Sequence, residues 1–288
     1  MSPNDLANDI ERLIVAANEK YAVTIRAIER DMYRRVLALL SSLASKDGYI
    51  LQNSSNRKII RQVENVYYDV IGSSAYVSAL EKYTEIIPKI DSLNKKYFGS
   101  FDKFKDNKNY FKSLQNQVVS EMNTYILQDG VSATVRTPLL EIVNRNINTG
   151  GSFSGFLDEV RSFMIGTENG TLLRYARNQT RDILFNYSRA YQHAVTKDLG
   201  LEFYVWSGGL IDTSRDFCKV RAGKFFHHNE IESWASQSWS GKHAGTTESS
   251  IFIYAGGYAC GHTPIPVDIS AVPSKDIQRN IENGNYKK

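Results

Sequence analysis

Leu199-Gly200-Leu201-Glu202-Phe203-Tyr204-Val205-Trp206 is where the chain changes character. Upstream, apolar residues recur at helical spacing from Thr171 to about Asp198. Gly200 follows as the residue best able to take the left-handed conformation that closes a helix. Downstream, six residues rich in aromatic and β-branched side chains predict a strand over Leu201–Trp206. Past it lie short elements and loops, most of the five histidines and both cysteines. A second strand is expected at Ile251-Phe252-Ile253-Tyr254, and a proline-containing strand after Cys260-Gly261-His262. From Ser274 onward the chain is polar.

Working back toward the N-terminus, the pattern is helical almost throughout. Pro3 followed by Asn4 or Asp5 offers a helix start. Ile10, Leu13, Ile14, Ala17, Tyr21, Ile25, Ile28, Met32, Val36, Leu39, Leu40 and Leu43 then form one stripe, ended by Gly48. A helix of about forty residues spans about 60 Å and needs partners along its length. A polar break at Gln52–Asn56 precedes a second run through Ile59, Val63, Val66, Val70 and Ile71. Gly72-Ser73-Ser74 precedes a third run to about Tyr97, with Pro88 as a kink or boundary. Further helices are expected at Tyr110–Leu127, Val131–Asn146 (which Pro138 disfavours) and Phe153–Met164. The expected fold class is therefore α+β and predominantly α. Long N-terminal helices fill residues 1–165, a small α+β module fills 166–272, and 273–288 form a polar C-terminal tail.

With 288 residues, 42% hydrophobic and 23% charged, the composition is that of a globular chain able to bury a core. No run approaches the roughly 18 apolar residues of a membrane helix. Met1-Ser2-Pro3-Asn4-Asp5 lacks the basic and apolar regions of a secretory leader. The net charge of +4 is modest, and the 35 Lys/Arg and 31 Asp/Glu are spread evenly on either side of residue 165. Neither half is a basic tail, so bulk charge does not mark a dedicated nucleic-acid binder, although it would hide a local patch.

Two cysteines in a chain of this length make no disulfide framework. Cys218, Cys260 and His262, with His228 or His227 as a fourth, have the residue types of a tetrahedral zinc site. The same residues are also read as two buried thiols beside hydrogen-bonded histidines, or as a Cys218–Cys260 disulfide. Arg174, Arg177 and Arg181, at i, i+3 and i+7, share a helix face. They are read either as phosphate or DNA contacts or as partners of Asp182, Asp212 or Asp216. Arg215 suits a structural role, because a planar guanidinium can cross-link backbone carbonyls in a turn. Enzymatic readings would pair Cys218 with His262 or His227 as nucleophile and base. Alternatively they would combine His227 or His228 with Glu230 and Arg221 as a nuclease. No phosphate loop, His-Glu-x-x-His or Gly-x-Ser-x-Gly supports catalysis, and the chain reads as no enzyme. Trp206, Trp234 and Trp239 are expected to build the core of the module.

One ordered pattern remains. A helix carries Arg174, Arg177, Arg181, Arg189 and Ala190-Tyr191, and the strand Phe203–Trp206 leads to Ser207-Gly208. A turn follows at Asp212-Thr213-Ser214-Arg215, then Cys218 to Gly223, then Glu230, Trp234 and Gly256-Gly257-Tyr258-Ala259-Cys260-Gly261-His262-Thr263-Pro264. Over roughly residues 170–268 this resembles the Mu F-like head-morphogenesis, or minor head protein, family of tailed bacteriophages. Cys260-Gly261-His262 stands where relatives commonly have cysteine-arginine-cysteine or cysteine-arginine-histidine. The resemblance implies a structural virion protein, present in multiple but few copies and assembled in the host cytoplasm. Its expected place is the portal or inner capsid surface. Portal protein and other head subunits are the implied partners, packaged DNA is a further contact, and no membrane is involved. A reducing cytoplasm would disfavour the disulfide, leaving a structural zinc as the conceivable cofactor. The alternatives in this setting are a virion-packaged nuclease or toxin-like hydrolase, or an internal protein ejected with the DNA.

Overall fold

Ser2, rather than Asn4 or Asp5, caps the first helix. The Asp5 N–H donates to Ser2 Oγ at 3.1 Å and the Ser2 N–H to Asp5 Oδ2 at 3.0 Å. This reciprocal capping box places Pro3 at the first helical position, where its missing N–H costs nothing. In the computed structural model, which describes residues 1–287, helix α1 runs Pro3–Leu40, 38 residues or about 57 Å. It stops short of Gly48. Asp47 and Gly48 both take positive φ (51° and 81°) and form the two-residue turn between β1 (Ser45–Lys46) and β2 (Tyr49–Ile50). Asp-Gly is a favoured sequence for such a hairpin.

The helices that follow are α2 (Ser54–Ile71), α3 (Ser74–Thr84) and α4 (Ile87–Phe98). Pro88 lies in the first turn of α4 and starts that helix, which splits the expected third run in two. Helix α5 (Lys108–Met122) passes into a π-helical turn over Asn123–Leu127, the short α6 (Asp129–Val131) and a second π turn over Ser132–Arg136. Pro138 opens α7 (Thr137–Thr149), and α8 (Phe153–Met164) follows. Helix α9 (Thr171–Leu199) ends at Gly200 with φ +66°.

Next come β3 (Phe203–Ser207), α10 (Asp216–Lys219), β4 (Phe225–His227) and α11 (His228–Ser233). The last elements are α12 (Ile251–Tyr254), β5 (Thr263–Val267) and α13 (Ser274–Glu282). The fold is predominantly α with two small sheets. The expected strand at Ile251–Tyr254 is helix α12. Its first turn is fixed by Thr247 and Ser250, whose hydroxyls and amides bond each other. A four-residue apolar run carries no period of its own, and the Thr247–Ser250 turn leads directly into the helix. The polar segment after residue 273 is also helical, and Asn280 of α13 is buried with its Oδ1 accepting the His227 N–H. Among the described residues, no helix is long and apolar enough to cross a membrane.

Contacts divide the chain into two compact units that the sequence partition at residue 165 does not follow. One comprises Met1–Ala16, Ile86–Val118 and Arg181–Lys288; the other comprises Ala17–Glu85 and Val119–Thr180. Helices α1 and α9 contribute residues to both. In the second unit the buried stripe of α1 includes Tyr21, Ile25, Met32, Val36 and Leu40, interrupted by two polar residues. Asn18 donates to the Arg177 carbonyl at 2.9 Å, and Glu29 accepts the Leu173 N–H at 3.0 Å. A carboxylate from one helix thereby satisfies the free amides at the start of another.

The first unit is built on a three-stranded antiparallel sheet of order β4-β3-β5. Every residue of the central strand β3 is buried. Pro264 and Pro266 are tolerated because β5 is an edge strand. Tyr97 of α4 donates to the Pro266 carbonyl at 2.6 Å, and Ser207 donates to Asn4 Oδ1 at 2.7 Å. An aromatic core gathers Tyr204, Trp206, Phe217, Phe226, Trp234 and Phe252 with both cysteines, and Trp239 packs against it.

Candidate functional site

The residues of the C-terminal pattern converge on the loop that precedes β5. Three features bend this loop. Ala255 and Ala259 take positive φ (47° and 56°), and Gly257 lies at +94°. A Cβ on Gly257 would fall on the Gly241 carbonyl, so only glycine permits that approach. Helix α9 holds the far end of the loop. Arg181 Nη1 donates to the Ala259 carbonyl at 3.2 Å, and the Asp182 carboxylate accepts the Ala259 N–H at 3.0 Å.

Two turns along the same helix stands Arg189, only 2% exposed. Its Nη2 donates to the carbonyls of Cys260 at 2.5 Å and His262 at 2.7 Å, and its Nη1 to Ile253 at 3.2 Å. Phe185 lies between the two arginines, each guanidinium 5.2 Å from its ring centre. Arg189 thus performs the carbonyl cross-linking expected of Arg215. Arg215 itself precedes α10 and donates to one carbonyl, that of Tyr258, at 2.6 Å. The signal for Arg189 was its two-turn spacing from Arg181. Its burial depends on a loop 70 residues away, which no local pattern reveals.

Three of the four expected metal ligands meet under this loop. The Cys218 and Cys260 sulfurs are 3.8 Å apart, and Cys260 Sγ is 3.8 Å from His262 Nδ1. Helix α10 turns Cys218 inward beside Phe217, and the residues of this group are 2%, 4% and 5% exposed in chain order. Gly256 covers the pair, since a Cβ there would lie 2.6 Å from either sulfur. His262 stacks parallel to Trp206 and its Nε2 has no hydrogen-bond partner. The hydrogen bond from Cys218 holds the Cys260 thiol well below its ordinary range, assisted by His262 and Arg189. The same bond, with burial, pushes Cys218 up.

His228 does not join them. It stands with Glu202 and His227 in a separate group at the opposite end of β3. There His227 accepts the Asn229 N–H on Nδ1 at 3.3 Å, and burial holds it near a pKa of about 4. Backbone geometry separates the two groups: β4 pairs with β3 so that His227 lies opposite Phe203, whereas β5 sets Thr263, next to His262, opposite Ser207. Of the nuclease set, Arg221 and Glu230 lie near enough for their charges to act on each other. Arg221 lies over Phe217 at 3.8 Å and Trp234 at 4.3 Å and bonds Gln237, while Glu230 faces Arg279.

The arginine face is also divided. Arg174 is exposed and bonds Thr171 Oγ1 at 3.4 Å, whereas Arg177 donates to Asn18 Oδ1 at 3.2 Å. Of the expected acidic partners, Asp182 feels the charge of Arg181 as well as that of Arg189, and Asp216 pairs with Lys219. No known protein family, curated protein or solved structure matches the chain.

Proposed function

We propose that this chain is a structural minor head protein of a tailed bacteriophage, acting in head morphogenesis at the portal or inner capsid surface. One observation carries the reading. Part of the pattern on which the resemblance rests, from Arg181 to His262, touches in one packed site, whereas Arg174 and Arg177 bond Thr171 and Asn18. Arg181 and Arg189 hold the loop carbonyls, Trp206 stacks on His262, and the Ser214-Arg215 turn reaches Tyr258. A sequence pattern whose members bond one another is a folding signature, and its purpose is to hold a surface in shape.

The same geometry argues against catalysis. Cys218 and Cys260 lie beneath aromatic side chains, and Arg221 is committed to packing. An activated nucleophile needs a base and access to substrate. The partners proposed are the portal protein and neighbouring head subunits, with packaged DNA as a further contact. Full-length protein mixed with the portal protein of the same phage is expected to co-sediment with it. Retention of the two as separate species at micromolar concentration would oppose the reading. The grouping of Glu202, His227 and His228, with Glu230 near Arg221, favours the nuclease alternative. Cleavage of DNA or RNA that disappears in His228→Ala would support it.

A further inference from the structure

We infer that Cys218, Cys260 and His262 are three protein ligands of a single thiophilic divalent cation of the zinc class, which staples α10 to the loop before β5. The inference stands independently of the proposed function. A tetrahedral ion with sulfur at about 2.3 Å and imidazole nitrogen at about 2.1 Å places two sulfurs about 3.8 Å apart and sulfur and nitrogen about 3.6 Å apart. The observed separations are 3.8 Å for both, and all three donor atoms lie within 4.8 Å of one another. Bonded sulfurs would stand about 2 Å apart.

The surroundings fit an ion better than two packed thiols. The pocket wall is aromatic, with Trp206, Phe217 and Trp239 beside the cluster. No carboxylate of the described residues joins the three donors, and two thiolates alone neutralise a divalent charge. The Gly256 backbone packs directly over both sulfurs, where a Cβ would lie 2.6 Å from each. Arg189 fixes the carbonyls of Cys260 and His262 together, so both ligands of the loop are oriented before an ion arrives. Such support from outside the ligand set is what a metal site requires. The fourth position falls to a water or similar small ligand, because His228 belongs to the other group.

The deciding experiment reconstitutes reduced, full-length protein with cobalt(II) alone and follows thiolate-to-cobalt charge-transfer absorption, with zinc then used to displace it. Binding of about one ion per chain is expected, and chelator removal should lower the melting temperature. Cys260→Ser and His262→Ala should each weaken binding by about tenfold or more, whereas His228→Ala should leave both stoichiometry and affinity unchanged. Circular dichroism of each variant checks that it is folded. Gly256→Ala, which retains every ligand, should also weaken binding. Absence of charge-transfer absorption in the folded, reduced wild type would overturn the inference. So would a native mass showing the two cysteines oxidised to one another in protein purified from a reducing cytoplasm.

Discussion

Arg189 ties carbonyls of Ile253, Cys260 and His262 to α9 within the first unit. It is a cation removed from water, and its cost is offset only because carbonyls of three residues accept from it. Removing it leaves those acceptors buried and unpaired. Arg189→Ala is expected to destabilise the protein by on the order of 3 kcal/mol. Arg189→Lys should rescue little of that, since an ammonium cannot span the same carbonyls. Denaturant melts of the three proteins check this; equal midpoints for wild type and Arg189→Lys would show the fork geometry to be unimportant.

His193 offers a test in pH. Its ring stacks on Phe252 at 4.6 Å, neither nitrogen has a hydrogen-bond partner, and burial together with Lys197 pulls its pKa down to about 4. A histidine near 6.5 when unfolded and near 4 when folded takes up its proton more readily in the unfolded chain. The resulting stability is complete above pH 6.5 and is lost as pH falls toward 4. His193→Phe keeps the stacked ring and removes the proton site. The variant should therefore lose less melting temperature than wild type between pH 7 and pH 5. Parallel pH profiles would contradict the assignment. Neither residue was legible as such in the sequence. Arg189 was visible only as one of several spaced arginines and His193 carried no signal of its own, because burial of each is set by segments distant in sequence.

At the scale of elements, periodicity carried most of the fold. Helices α2, α8 and α9 lie close to where their apolar stripes and glycine boundaries put them, because each has several turns over which a 3.6-residue period can be read. Where the run was short the pattern failed, as at Ile251–Tyr254, where the Thr247–Ser250 turn leads directly into a helix. Pro88, read as a kink or boundary, marks the boundary where α4 begins, whereas Pro138, read as disfavouring its helix, opens α7. The π turns around α6 had no sequence signal at all. They surround Gly130, where a Cβ would lie 2.0 Å from the Tyr175 hydroxyl and 2.7 Å from the Tyr125 carbonyl. That hydroxyl donates to Tyr125 at 3.0 Å. Gly130→Ala should cost about 1–3 kcal/mol by forcing this contact apart. Pairing it with Tyr175→Phe in a double-mutant cycle should reveal coupling, and strict additivity would argue that the contact is not the cause.

At the scale of the molecule, the partition legible in the sequence and the units that pack are different things. Composition changes near residue 166, but the first unit also needs residues 1–16 and 86–118. Tyr97 satisfies an edge-strand carbonyl, Asn4 accepts from Ser207, and Asn94 bonds Ser188 and Gln192 in a buried network. A fragment of residues 166–288 lacks all three. It should show poorly dispersed amide resonances and no cooperative melt, whereas the intact chain should show both dispersion and cooperativity. The candidate site shows the same relation. The identities of Cys218, Cys260 and His262 were legible, as was the order of the pattern around them. The exclusion of His228 was not, because strand pairing alone places it at the other end of β3.

A structural minor head protein, as proposed, stays with the phage head when the DNA leaves it. Quantitative mass spectrometry of purified particles, compared before and after DNA release, tests it most directly. The chain is expected at a few copies per particle and should remain with the emptied heads in the same ratio to portal protein. Its absence from intact particles, or its departure with the genome, would contradict the claim.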